Sequence, residues 1–169
     1  VFDKEFFYYV PRLISDQPYR IFTSILAHAD LNHLLSNLGG IIITRYFLMR
    51  LGIQSRFFYF KFILICSFLN FFFIWVYEKI LSYFFNFYPN YAALGFSGII
   101  YALFGFLLLS SLYGKNYFLG EQISLKSNFE IQKMSKTICL IGLIFSFLPG
   151  VSLLVHISGF ISGCFIFFI

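Results

Sequence analysis

Five stretches of the chain are long and almost continuously apolar, and short polar segments separate them. A helix needs about 20 mainly apolar residues to cross the hydrocarbon core of a bilayer. The pattern therefore predicts one all-α, polytopic membrane domain. Its parts are an extracytoplasmic loop over 1–32 and spans over about 33–50, 57–77, 91–113, 133–148 and 152–169.

The last two predicted spans share one uncharged run, from Thr137 to Ile169, which is too long for one ordinary span and short for two. Pro149 and Gly150 divide this run. Proline removes a helical hydrogen bond and glycine tolerates a turn, so the simplest division ends one helix near 148 and begins the next near 152.

The composition supports a lipid environment. Of the 169 residues, 60% are hydrophobic and 11% are charged, whereas about 25% charged residues are typical of soluble domains. This balance excludes an aqueous globular domain, and the many aromatic residues exclude disorder. The three cysteines lie in apolar runs and are interpreted as packing residues: Cys66, Cys139 and Cys164.

The distribution of basic residues predicts the orientation. Lys and Arg are in excess in the connections after the first and third spans, but not in those after the second and fourth. The positive-inside rule places the two basic connections in the cytoplasm. The formal charge of +5 is thus explained without a nucleic-acid partner. Residues 1–20 show no cleavable signal peptide, and we expect the chain to be a fragment that lacks an earlier span.

Polar residues open three of the predicted spans, all on the outer side. His33 and Asn37 open the first span, Ser97 opens the third and His156 opens the last. Polar and ionisable groups at membrane depth are costly, so each is a functional hypothesis. A spacing of four residues places His33 with Asn37, and Ser97 with Tyr101, on common helix faces.

These groups together suggest acyl transfer. A neutral histidine can take the proton of a serine hydroxyl, while an Asn amide and a second histidine can donate to an oxyanion. Asp30 and Glu78 are the acids near that side of the spans, and neither is a convincing third member. A Ser97–His156 dyad is therefore favoured over a triad.

The motifs resemble those of the rhomboid family of intramembrane serine proteases, and they occur in that family's order along the chain. They are Tyr19–Thr23, His28–Asn37, Gly95–Gly98 with Tyr101, and His156 with Gly159 and Gly163. The resemblance implies that Ser97 is the nucleophile and His156 the general base and acid. It also implies an oxyanion hole formed by His33, Asn37 and the Ser97 amide. Supporting roles are implied for His28, Tyr101, Gly95, Gly98 and Gly159.

The resemblance further implies a serine endopeptidase that hydrolyses peptide bonds in or next to transmembrane segments of membrane proteins. Its partners would be transmembrane protein substrates and membrane lipid, with no cofactor, no metal and no nucleic acid. We expect an integral, multi-pass protein of a plasma or bacterial inner membrane, with its active site toward the extracytoplasmic side. Rhomboids have six core helices, so the family's first helix is the span that we expect to be missing.

The sequence has three other interpretations. A non-catalytic rhomboid-like protein that binds transmembrane clients is the main alternative, but such relatives usually lose the serine or the histidine, and both are present here. A zinc site of His28, His33 and His156 is disfavoured, because there is no His-Glu-x-x-His pattern and no carboxylate on the apolar stripe. A transporter would require internal repeats and polar residues near mid-membrane, whereas the predicted cluster of Ser97, His33 and His156 lies near one surface.

Overall fold

The computed structural model describes residues 4–50, 52–86, 92–113, 117–118, 121–122, 129–147 and 151–169. Its α-helices are α1 (Arg20–Thr23), α2 (Leu31–Arg50), α3 (Arg56–Phe85), α4 (Ser97–Tyr113), α5 (Phe129–Phe145) and α6 (Leu153–Phe168). Short 3-10 helices cover Lys4–Phe7 and Pro11–Leu13, and the two-residue strands β1 (Tyr117–Phe118) and β2 (Glu121–Gln122) pair antiparallel. The predicted all-α fold class is confirmed.

The five long helices lie over the five predicted ranges but differ from them at their ends. α3 continues past 77 to Phe85, and α5 begins at Phe129 rather than near 133. α4 begins only at Ser97, because the chain before it is extended and turns at Gly95. The proposed division at Pro149 and Gly150 lies outside the described residues.

The surface of α3 is suited to lipid. Within the described part of the chain, Arg56–Phe85 is the one helix long and apolar enough to cross a membrane, while the apolar stretches Ser97–Ser110 and Leu153–Phe168 are shorter. On α3, the side chains of Phe57 and Phe60 are 77% and 63% exposed. Large exposed apolar patches are rare on soluble monomers, so this surface favours contact with acyl chains.

Helix α4 lies at the centre of the bundle, where it packs against α2, α3, α5 and α6. Its closest neighbour is α6, since Gly159 faces the backbone of Gly98 and Gly163 faces that of Ala102. A Cβ atom added to Gly159 would overlap that backbone. Small residues allow such an approach between membrane helices, so α4 and α6 pack backbone against backbone.

Backbone hydrogen bonds join the segment before α2 to the residues that precede α4. Tyr9 and Ala93 exchange two backbone hydrogen bonds of 2.8 and 2.9 Å, and the amide of Gly95 donates to the Ser24 carbonyl at 2.8 Å. The ring of Tyr9 is buried against α3. That burial, with a smaller contribution from the charge of Glu78, raises its pKa. The Tyr9 phenol therefore stays neutral.

Candidate active site

Ser97 is the first residue of α4, at the end of a turn that depends on glycine. Gly95 has a φ of 98°, which side-chain-bearing residues rarely adopt. A Cβ atom there would lie 2.6 Å from Nε2 of His33 and 3.1 Å from Nδ2 of Asn37. The backbone just before Ser97 therefore lies directly against both α2 side chains. The amide of Ile99 already donates to the Phe96 carbonyl at 3.0 Å. The earliest amides of a helix have no partner within the helix, so the Ser97 amide is placed where a helix can bind an anion.

The start of α2 is fixed by Asp30, whose Oδ1 accepts a hydrogen bond of 2.8 Å from the amide of His33. An aspartate at this position satisfies one of the unpaired amides of the first turn. One turn further on, Asn37 is buried, and its Nδ2 has no hydrogen-bond partner in the part of the chain that the structure describes. An unsatisfied buried donor thus lies beside the turn that leads to Ser97.

His28, which precedes α2, packs against the first turn of that helix. Its ring packs edge-on against that of His33, with centroids 5.2 Å apart. Its Nδ1 lies 3.1 Å from the Leu26 carbonyl, which accepts the Nδ1 proton when the ring carries one there. His28 therefore contacts the site through His33.

His156 is buried on α6 and is held from two sides. Its ring stacks on that of Tyr101, with centroids 3.9 Å apart and an angle of 14° between the planes. Its Nδ1 lies 2.9 Å from the hydroxyl of Ser146, just after α5. The Ser146 hydroxyl lies 2.8 Å from the Tyr101 phenol, which itself donates to the Gly142 carbonyl. The position of the His156 ring is thus fixed by Tyr101 of α4 and by Ser146, just after α5.

The packing of α4 on α6 brings together the starts of the two helices, which carry Ser97 and His156. Tyr101, which stacks on His156, is one helical turn after Ser97, and Gly98 touches Gly159, which is three residues after His156. Just before Ser97, the turn at Gly95 lies against His33 and Asn37 of α2. Groups from α2, α4 and α6 therefore meet at one end of the bundle.

The comparison with protein families decides the relationship. The sequence matches the model of the Rhomboid domain over residues 15–169. The chain belongs to the rhomboid family. The resemblance inferred from the motifs is thereby confirmed, and the chain is an integral membrane protein of a polytopic helical fold. Rhomboid proteins are generally intramembrane serine proteases that act on transmembrane substrates. Neither the curated proteins nor the solved structures give a match to the chain.

The sequence motifs did not predict two polar contacts of this rhomboid domain. Ser146 bonds His156, and Asn70 on α3 accepts a hydrogen bond of 2.6 Å from Ser158 on α6. Asn70 is buried beside Gly98, so it braces the α3, α4 and α6 contact. The cost of an amide at membrane depth could have identified Asn70, whereas Ser146 resembles any other serine in an apolar run.

Within the described residues, the geometry does not support the zinc interpretation. Among the residues that the structure describes, no group of three or more His, Cys, Asp or Glu side chains is arranged to hold a metal ion. His156 instead makes its close contacts with a phenol ring and a hydroxyl group.

Proposed function

We propose that this rhomboid domain is a serine endopeptidase that hydrolyses peptide bonds in or next to transmembrane segments, with Ser97 and His156 as its dyad. The observation that carries the proposal is the stacking of the buried His156 ring on Tyr101, one turn from Ser97, where α4 and α6 touch. A packed, oriented imidazole beside the first residue of a helix is suited to activating a serine hydroxyl.

In the first step, Oγ of Ser97 attacks the carbonyl carbon of the substrate and its proton moves to Nε2 of His156. Nδ1 is engaged with Ser146, so Nε2 is the ring nitrogen available for this transfer. The carbonyl oxygen becomes an oxyanion. The Ser97 amide and the unpaired Nδ2 of Asn37 are the proposed donors to it, with His33 beside them.

In the second step, the C–N bond breaks and the leaving amine takes the proton from His156. Water then attacks the acyl-enzyme while His156 again accepts a proton, and the acid is released with Ser97 restored. One peptide bond and one water molecule are consumed for each amine and acid formed. Water must therefore reach Ser97, which is partly exposed, and we propose a cavity open toward the outer face.

The membrane arrangement belongs to the same proposal. The charge distribution supports five spans in a single domain, with the site toward the extracytoplasmic side of a plasma or bacterial inner membrane. The substrates are transmembrane proteins. The active-site residues offer oxygen and nitrogen groups for acid–base chemistry, and the reaction as written uses no cofactor or metal.

Labelling with a fluorophosphonate probe tests this function in the purified, detergent-solubilised protein. We expect covalent labelling of the unsubstituted chain, and loss of labelling to background in Ser97→Ala and His156→Ala. Ser110→Ala is the matched control, because Ser110 is also on α4 and its buried hydroxyl has no partner in the described ranges. This control should label normally.

Two outcomes would contradict the proposal. Labelling that persists in Ser97→Ala would remove Ser97 as nucleophile. In the second outcome, the unsubstituted protein, shown to be helical and monodisperse, captures a transmembrane peptide without cleaving it or reacting with the probe. It would then be a non-catalytic relative that binds clients.

A further inference from the structure

Ser146 occupies a position that the proposed dyad does not yet explain. Its side chain is 2% exposed, and its hydroxyl lies 2.9 Å from Nδ1 of His156, 2.8 Å from the Tyr101 phenol and 3.0 Å from the Gly142 carbonyl. The phenol of Tyr101 also donates to that carbonyl. A hydrogen-bonded chain thus leads from the imidazole through two hydroxyl groups to the backbone of α5.

A count of hydrogen atoms decides which nitrogen of His156 carries the proton. The cluster contains four contacts: His156 to Ser146, Ser146 to Tyr101, and each of the two hydroxyl groups to the Gly142 carbonyl. Each hydroxyl supplies one hydrogen atom and the carbonyl supplies none. With the imidazole proton on Nδ1, three hydrogen atoms fill the contacts from His156 to Ser146, from Ser146 to Tyr101 and from Tyr101 to the carbonyl, and only the 3.0 Å contact of Ser146 with the carbonyl has none. With the proton on Nε2, two hydrogen atoms must serve four contacts, and a second buried pair of polar atoms would face each other without a hydrogen bond.

We propose that Ser146 is a positioning residue whose hydroxyl accepts the Nδ1 hydrogen bond of His156 and so keeps Nε2 unprotonated and ready to receive the proton of Ser97. The inference rests on the dyad proposed above and adds its third member. A carboxylate usually holds the imidazole in this tautomer. Here the neutral hydroxyl of Ser146 performs the same orienting role without adding charge. It bonds the Tyr101 phenol, which in turn donates to the Gly142 carbonyl of α5.

The neutral character of Ser146 sets the size of the expected effect. A hydrogen bond to a group that becomes charged is worth more than a neutral one, but much less than a missing nucleophile or base. We expect Ser146→Ala to slow fluorophosphonate labelling about 10- to 100-fold. The fold should survive, because Tyr101 keeps its bond to Gly142.

Ser135→Ala is the matched control. Ser135 is on α5 and is also 2% exposed, but its hydroxyl has no partner in the part of the chain that the structure describes. Labelling of Ser135→Ala should stay within about 2-fold of the unsubstituted rate, because the substitution removes no hydrogen bond. Ser146→Thr retains a hydroxyl and should label faster than Ser146→Ala. Loss of buried hydroxyl volume alone would slow both alanine variants equally.

Nitrogen-15 NMR of histidine-labelled protein reads the tautomer directly, without turnover. The His156 resonances are assigned by their loss in His156→Ala. In the unsubstituted protein we expect a protonated Nδ1 and an unprotonated Nε2, and in Ser146→Ala a shift toward a mixture of the two tautomers.

The two measurements separate this inference from the proposed function. An Nδ1 without a proton in the unsubstituted protein would overturn the inference, even if Ser146→Ala failed to fold. Normal labelling of Ser146→Ala with unchanged resonances would also overturn it, while leaving the dyad intact. Conversely, labelling that persists in Ser97→Ala would remove the dyad, and the tautomer measurement would still stand as a test of the hydrogen bond.

Discussion

Helices α6 and α2 both bring polar groups to the candidate site, but they are packed in different ways. α6 buries eight of its 16 residues, among them His156 and both glycines that face α4. α2 has 20 residues, of which Asn37, Thr44, Phe47 and Leu48 are buried. The helix with the proposed base is thus embedded in the protein, whereas the helix with the proposed oxyanion donors has most of its surface exposed.

The contacts of the two helices with α4 explain this difference. α6 meets α4 backbone to backbone at Gly159 and Gly163, so a side chain added at either glycine would push the two helices apart. α2 meets α4 through side chains, at Gly40 against Ile100 and at its outer end against Gly95. Substitutions on α6 should therefore affect folding and chemistry together, whereas substitutions on α2 should affect mainly the reaction rate.

The largest effect is expected for Gly159→Val. Its branched side chain would overlap the backbone of Gly98, and overpacking of this kind costs about 1–3 kcal/mol or more. The two helices must separate, which carries His156 away from Ser97. We expect probe labelling to be abolished and the midpoint of denaturation to fall, as measured by fluorophosphonate gel assay and circular dichroism.

Gly39→Val on α2 is the control for Gly159→Val, because a Cβ atom at Gly39 meets nothing within 4 Å. This variant should retain most of its stability and labelling. Equal loss of stability in both variants would show that α2 is packed as tightly as α6 and would remove the contrast between them.

Asn37→Ala should have the next largest effect and should act on rate alone. Removing one donor to an oxyanion typically lowers kcat by about 10²–10³-fold. The buried Nδ2 of Asn37 has no partner among the described residues, so its loss breaks no hydrogen bond there and the stability should hardly change. Cleavage of a transmembrane reporter peptide gives kcat, and the denaturation midpoint gives stability.

Asn32→Ala is the control for Asn37→Ala, since Asn32 is on the same helix but is exposed. It should leave both quantities unchanged. A variant Asn37→Ala that loses stability but keeps its kcat would indicate a packing role for Asn37 and would exclude it as an oxyanion donor.

The local sequence pattern predicted the elements that repeat a simple period. Apolar runs gave the five long helices, and four-residue spacing placed Tyr101 one turn from Ser97, where the structure stacks it on His156. The catalytic roles of these residues remain predictions. The start of α4 at Ser97 was not predicted, because it follows from the backbone turn at Gly95 and not from a change in hydropathy.

The contacts between distant segments were also beyond the sequence pattern. Ser146 bonds His156 and Asn70 bonds Ser158 only because α3, α5 and α6 are brought together by the fold. The extension of α3 to Phe85 was missed for another reason. The predicted span stopped before Glu78 and Lys79, but a helix can continue beyond the lipid boundary into water without a break in its hydrogen bonds.

The smallest effect is expected for Asp30→Ala at the exposed start of α2. Its carboxylate caps the amide of His33, and loss of an N-cap costs about 1 kcal/mol. The first turn of α2 should fray, which loosens His33 but leaves Asn37 one turn further in. We expect faster hydrogen exchange at the start of α2 and labelling reduced by no more than about 5-fold, with Asp30→Asn close to the unsubstituted protein because asparagine also caps well. A loss of activity as large as that of Asn37→Ala, with normal hydrogen exchange, would mean that the charge of Asp30 itself acts on the site. The contribution of α2 to the reaction would then not be limited to neutral hydrogen-bond donors.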